Sequence, residues 1–282
     1  SSFKPYWLIK KKDSQFISDL KMFRECAFYL GMVELVSYWK ITCSPNVLVK
    51  VSSLDEYQVD WWKKQYFFGL GEFFYINNIK TNIEDLMSIT SNNTIIDGVT
   101  KQLNFTGNLI PVGGGKDSFV SLELLKDSFE SNDAYVINNV ISAINASIEA
   151  GYKDKLINVK RVLDPNMLRL NKEGFLNGHT PFSAVVAFSS VLVSIMYNKK
   201  YICLSNEASA NESTILDEEV NHQYSKSYEF EVDFNEYISK YITKDIKYFS
   251  LLRPLSELEI THIFSTLKKY HKVFRSCNVG SK

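Results

Sequence analysis

Residues 109–125 read L-I-P-V-G-G-G-K-D-S-F-V-S-L-E-L-L: an apolar run, three consecutive glycines, then lysine, aspartate and serine at the head of a segment with helical spacing. The apolar run predicts a buried strand over 109–113, and the spacing predicts a helix over 118–130. Between them, Gly113, Gly114 and Gly115 can adopt positive φ and let successive backbone N–H groups close around an anion. The helix start brings further unpaired N–H groups and the positive end of its dipole to the same point. Lys116 can offset phosphate charge and Ser118 can donate a hydroxyl. Asp117 belongs beside an anion only if it holds a cation, for which Mg²⁺ is the candidate, or a backbone turn. The competing reading is a tight strand-to-helix turn that holds no ligand. The spacing is not that of a Walker A loop, which needs four residues between its outer glycines, nor of a GxGxxG dinucleotide fingerprint.

Outward from this loop toward the C-terminus, strand and helix patterns alternate. Strands are expected at 134–138, 156–162, 200–204 and 247–252. Helices are expected at 142–150, near Pro165, at 180–197, near 233–241 and at 256–274. The fold class this predicts is α/β, with a mainly parallel sheet covered by helices on both faces. Ligands of such sheets gather at the carboxyl ends of the strands. Polar clusters fall there: Asn138-Asn139, the G-H-T-P-F-S run with His179, S-N-E-A-S-A-N-E with Glu207 and Asn211, N-H-Q-Y-S-K-S with His222 and Lys226, then Arg253, and finally Cys277.

Residues 1–104 read differently, as a smaller aromatic-rich mixed α/β module preceding a nucleotide-binding unit over 105–282. A helix buried on most faces is expected at Phe23–Lys40 and a strand at Val47–Val51. A second aromatic segment, Gln58–Asn77, is interrupted by Gly69 and Gly71, and a polar stretch, Ser88–Asn104, leads to the glycine loop. Trp61, Trp62, Tyr66 and Phe67 read as packing, with a groove for a sugar or uracil as the alternative.

Composition excludes several classes. With 282 residues, 45% of them hydrophobic, the chain can bury one large core or two smaller ones. Thirty-two basic residues balance thirty-two acidic ones, so nothing draws the chain to nucleic acid. The longest apolar stretch, Phe182–Met196, carries serines and falls short of the roughly 18 residues of a membrane span. Cys26, Cys43, Cys203 and Cys277 form no CxxC pair, which fits a reducing, cytoplasmic setting; the first three read as core residues. No sequence feature sets an oligomeric state. The chain opens on Ser1-Ser2 and stops at Gly280-Ser281-Lys282, as a piece of a longer protein would.

The glycine loop resembles the S-G-G-x-D-S signature of the PP-loop ATP pyrophosphatases, with Gly113 in place of the first serine. Together with F-R-E-C-A-F-Y-L-G-M-V-E-L, S-N-E-x-S-A-N-E and N-H-Q-Y-S-K-S, it is similar over nearly the whole chain to the MurL-type UDP-N-acetylmuramoyl-dipeptide glutamate epimerases. That resemblance implies a PP-loop fold and two ligands, ATP with Mg²⁺ and a UDP-muramoyl dipeptide. It implies activation of the terminal L-glutamate carboxylate as an acyl-adenylate, inversion at Cα, and release of AMP and pyrophosphate for peptidoglycan precursor synthesis. Two alternatives stand beside it: a ligase or amidotransferase of the same superfamily, and a non-catalytic nucleotide-binding protein.

The chemistry assigns candidate roles. An α-proton beside an ionised carboxylate is very weakly acidic, and adenylation removes that charge so that the carbonyl can hold an enolate. The phosphates fall to Gly113–Gly115, Lys116 and Ser118, and the nucleoside to Asn138 and Asn139. Substrate contacts fall to Glu207, Asn211, His222 and Arg253. Lys116, Asp117, His179, Lys226 and Cys277 form the catalytic set, with His179 and Cys277 as candidate bases; a helix cap and a buried thiol are their respective alternatives.

Overall fold

A computed structural model describes residues 2–10, 20–92, 104–210 and 224–275. Six strands form the main sheet: β1 (Tyr6–Leu8), β4 (Asn108–Pro111), β5 (Asn132–Ile137), β6 (Leu156–Val162), β7 (Tyr201–Leu204) and β8 (Lys247–Ser250), in the order β1-β6-β5-β4-β7-β8. Five run parallel, and β1 joins the edge antiparallel to β6 with Trp7 opposite Arg161. The chain winds from β4 outward to β6, then crosses back to β7 and β8. The winding therefore reverses between β4 and β7, where a crevice opens at the carboxyl ends of the strands.

Strand residues alternate between the two faces, as a period of two requires. Leu109 and Tyr135 pack toward the helix α7 (Phe182–Tyr197), while Ile110 and Val136 pack toward α4 (Lys116–Leu124) and α5 (Ile141–Glu149). The helix α9 (Glu257–Thr266) completes that second face. On the first face α7 is covered by α1 (Leu20–Trp39), α2 (Glu56–Gly69) and α8 (Tyr228–Tyr241), all in one hydrophobic cluster. Its centre is aromatic: Trp62 stacks on Phe188 with ring centroids 5.1 Å apart, and Trp61 lies 4.4 Å from Tyr237. The buried Tyr237 hydroxyl accepts from Gln58 Nε2 at 3.1 Å and Trp62 Nε1 at 3.0 Å, so these three polar groups are matched within the aromatic centre. These tryptophans are thus packing residues. Cys26 and Cys203 are core residues as expected, whereas Cys43 is only half-buried.

Several boundaries differ from the sequence expectation. The stretch after Ser88 was expected as a polar linker, yet it begins with a strand, β3 (Ser88–Ser91), parallel to β2 (Asn46–Val49). Only Ile89 of β3 is buried, too little alternation to signal a strand. The aromatic segment breaks where its glycines sit, between α2 and the short α3 (Gly71–Ile76). The helix after the glycine loop begins at Lys116 and stops at Leu124. There, Asn132 Nδ2 takes the Leu125 carbonyl at 2.7 Å and a 3-10 segment, Lys126–Ser131, follows. The last helix ends at Thr266 instead of continuing to 274. The remaining helix, α6 (Pro165–Lys172), starts at Pro165 under an Asp164 cap. Among the described residues no helix is long and apolar enough to cross a membrane.

Candidate functional site

A cleft of about 710 Å³ occupies the crevice between β4 and β7. One wall is the glycine loop with Gly113, Gly115, Lys116, Asp117 and Ser118. Another is the end of β5 with Ile137, Asn138 and Val140; Phe182 and Ser183 from α7 face Ser205, Asn206 and Lys226 from the β7 side, and Arg275 closes the mouth. A second cavity of about 790 Å³ lies along α1 beside β1. It is lined mainly by apolar and aromatic side chains such as Phe3, Trp7, Leu30 and Trp39, far from the glycine loop in the fold.

Helix starts give the cleft its electrostatic character. Side chains cap α2, α6, α8 and α9, through Asp55, Asp164, Ser227 and Ser256. No side chain caps α4, α5 or α7, whose first residues are preceded by Gly115, Val140 and Pro181. These three uncapped starts open on the cleft, and each presents unpaired N–H groups and a positive dipole end. Such a surface favours an anion.

The glycine loop is held from both sides. Gly114 has φ +85°, and a Cβ there would lie 2.5 Å from Ser142 Oγ and 2.6 Å from Ala143 N, at the start of α5. Its carbonyl accepts the Arg275 N–H at 3.0 Å. Gly113 donates its N–H to Ser118 Oγ at 3.0 Å, so the buried serine braces the loop across its own turn. Gly113 and Gly115, unlike Gly114, face the open cleft.

Lys116 Nζ lies 2.7 Å from Asp117 and 2.8 Å from Glu257. Burial works to lower its pKa, but the hydrogen bonds and charges of these carboxylates outweigh burial and leave it above the ordinary lysine value. Lys226, in a 3-10 turn spanning Tyr224–Lys226, makes no side-chain ion pair among the described residues. Burial holds its pKa below the ordinary value, with Asp117 and Glu207 opposing the shift. Among the described residues there is no cluster of three His, Cys, Asp or Glu able to hold a metal. Among the described residues of the cleft lining Asp117 is the one carboxylate, so any cation there would draw most of its ligands from elsewhere than these side chains.

The other expected residues divide. Asn138 lines the cleft in left-handed backbone, φ +64°, with its Oδ1 accepting the Arg161 N–H at 2.7 Å. Asn139, also left-handed, turns to a separate pocket, where its Oδ1 accepts from Asn158 Nδ2. His179 is outside the cleft lining, with Nδ1 3.8 Å from Glu72. Glu207 folds back onto Ser209, accepting from its N–H at 2.7 Å and its hydroxyl at 2.9 Å. The Arg253 guanidinium is committed to the carbonyls of Glu207 and Lys226, at 3.0 and 2.7 Å, and to Glu231 at 3.3 Å, so it ties together the loops behind Lys226. Asn211, His222 and Cys277 lie outside the described residues.

The sequence reading passed over Ser183, Ser205, Asn206 and Arg275 as site residues. The first three sit inside polar clusters already visible at helix and strand ends, where Glu207 and His179 drew attention by their charge. No local pattern marks Arg275, because it reaches the loop only through tertiary packing.

A family model of the MurL N-terminal domain matches residues 2–251. The UDP-N-acetyl-alpha-D-muramoyl-L-alanyl-L-glutamate epimerase of Xanthomonas oryzae pv. oryzae is 32% identical over 252 residues, 88% of this chain and 55% of the relative. Proteins of the same name from Salinispora tropica and a Micromonospora species are each 32% identical over 257 residues, 90% of this chain and 55% and 56% of their own lengths. The chain spans about half the length of these relatives. A solved structure described as a predicted subunit of tRNA methyltransferase from Methanocaldococcus jannaschii aligns with 56% of this chain and 74% of its own, at 14% identity and a TM-score of 0.33, too loose a match to bear on function. The glycine loop, the winding of the sheet and the match over most of the chain agree: this chain belongs to the MurL N-terminal domain family.

Proposed function

We propose that this chain binds ATP and the terminal L-glutamate of UDP-N-acetylmuramoyl-L-Ala-L-Glu, and takes part in inverting that residue through an acyl-adenylate, with AMP and pyrophosphate as the other products. The observation that carries the reading is the convergence of three uncapped helix starts with Lys116, Lys226 and Arg275 on one cleft at the point where the sheet reverses. An anionic ligand of nucleotide size suits that surface, and the relatives' common name supplies the acyl substrate.

In this reading the loop N–H groups, the α4 start and Lys116 hold the leaving pyrophosphate, and Ser118 keeps the loop in shape. Lys226, across the cleft, offsets the charge of the reacting carboxylate and phosphate. Asp117 shares the Mg²⁺ carried by the phosphates. Adenylation neutralises the carboxylate, so the Cα proton becomes acidic enough to leave and return on the opposite face.

The test is incubation with ATP, Mg²⁺ and the dipeptide substrate in deuterium oxide. The expected result is AMP formation that depends on the dipeptide, deuterium at glutamate Cα, and D-glutamate in the product. AMP accompanied by consumption of an added amine identifies a ligase. AMP without exchange at Cα rejects epimerisation by this chain, and absence of AMP rejects the adenylation reading altogether.

A further inference from the structure

Lys40, one residue beyond α1, is 5% exposed and makes no ion pair among the described residues. Its ammonium instead donates to three successive residues: to the Gly178 carbonyl, to the His179 carbonyl at 3.2 Å and to Thr180 Oγ1 at 2.7 Å. An ammonium has three donors and no acceptor, so the match is complete. Residues 175–181 have no regular secondary structure, so their carbonyls find partners outside any helix or sheet ladder.

The opposite side of this strap is packed just as closely. Asn77 Nδ2 takes the Asn177 carbonyl at 3.0 Å, a Cβ on Gly178 would meet Phe73 at 3.1 Å, and one on Gly69 would meet Pro181 at 2.9 Å. The strap then becomes the start of α7, where the N–H groups of Ala184 and Val185 both reach the Pro181 carbonyl, at 3.1 and 3.3 Å. Phe182 and Ser183, between them, line the cleft. From these contacts we propose that Lys40 is a positioning residue for the cleft: by clamping residues 178–180 it fixes the first turn of α7 and hence the Phe182–Ser183 wall.

The charges around Lys40 give the clamp a signature. Facing it are Arg161 of β6, itself paired with Glu34 of α1, and Glu72 of α3, whose carboxylate also meets His179. Burial first, then Arg161, push the Lys40 pKa down to about 8, while Glu72 pulls it up. Opening the strap returns the amine to water and to an ordinary value near 10.4. Between about 8 and about 10 the open form still binds a proton while the closed strap is held by the neutral amine, which keeps two of its three donors, so rising pH through that window favours the closed strap.

Amide hydrogen exchange at Ala184 and Val185, corrected for intrinsic rates, tests the proposal without any ligand. In the unaltered chain protection is expected to rise with pH across that window, by up to about tenfold per unit. Lys40→Met keeps the stem but removes the donors; at pH 7.5 it is expected to speed exchange there about tenfold, the loss of a charge-assisted hydrogen bond, and to flatten the pH profile. Thr180→Val removes one acceptor and should act in the same direction more weakly, which decides the matter if Lys40→Met does not fold by circular dichroism. Unchanged or slower exchange in the folded variant, or a persisting pH profile, overturns the proposal. The functional consequence rests on reading the cleft as the ATP site: Lys40→Met should weaken ATP binding in calorimetry. If the unaltered chain binds no ATP, that reading falls, while the exchange result still decides the role of Lys40.

Discussion

Lys116 Nζ lies 2.8 Å from Glu257 Oε1, a contact that joins the first turn of α4 to the first turn of α9. The carboxylate occupies the cation that a phosphate would use, and it does so from a side chain that is 61% exposed. Exposed pairs of this kind contribute ~0–1 kcal/mol, so a phosphate reaching Lys116 would displace Glu257 at little cost. Glu257→Gln is expected to tighten ATP binding, by up to about fivefold, because a competing negative charge leaves the cleft mouth. Calorimetric titration reads this directly, and weaker binding in the variant would count against Lys116 as a phosphate contact.

Lys116→Ala is expected to lower dipeptide-dependent AMP formation by about 10²–10³, the effect of removing one preorganised donor from a developing anion, and Ser118→Ala to lower it in the same direction by loosening the loop. The far-ultraviolet circular dichroism should stay unchanged, since Lys116 makes surface pairs and Ser118 braces only its own loop. Near-normal turnover in both variants would remove the glycine loop from the mechanism.

Two adjacent glycines should respond in opposite ways. Gly114→Ala meets Ser142 Oγ and Ala143 N and demands φ +85° of a residue with a Cβ, whereas Gly113→Ala meets only Ser118 Oγ at 3.9 Å. Gly114→Ala is expected to destabilise by about 2–4 kcal/mol in urea unfolding. Gly113→Ala should stay within about 0.5 kcal/mol. Equal losses at both positions would show that the α5 start does not support the loop.

If the cleft holds ATP as proposed, its binding is expected to depend on pH through Lys226. Burial lowers its pKa in the free chain, and a bound anion raises it, so binding takes up a proton in the interval between the two values. Binding is therefore strongest below the free-chain pKa and weakens as pH rises through the bound-state pKa. Lys226→Met should weaken binding at neutral pH and remove this alkaline limb. Calorimetry in buffers of different ionisation enthalpy measures the proton uptake; its persistence in Lys226→Met would assign it to another group.

The glycine-loop wall of the cleft was legible because it is local. The order strand, glycine loop, helix puts Gly113, Lys116, Asp117 and Ser118 within one turn of each other, and chain geometry alone brings them to one cleft wall. The parallel sheet was legible for a similar reason, since runs such as L-I-P-V and A-Y-V-I are apolar on both faces. Arg253 and His179 show where this reasoning stops. Their side chains have the right chemistry, but their partners, Glu207 and Lys226 for one and Glu72 for the other, are distant in sequence.

The sequence by itself determined the five parallel strands of the sheet, the aromatic core of its first face and the glycine loop before α4, but not the antiparallel edge strand β1. Tertiary structure alone decided which helix starts remain uncapped, which charges are already paired, and that Lys40 of the N-terminal region holds the strap leading to Phe182. Periodicity and turn chemistry act over a few residues and are written in the chain. Pairing, burial and the pKa shifts that follow depend on groups separated along the chain, by 27 residues for Arg253 and Lys226 and by 140 for Lys40 and Thr180, whose distances exist only once the chain has folded.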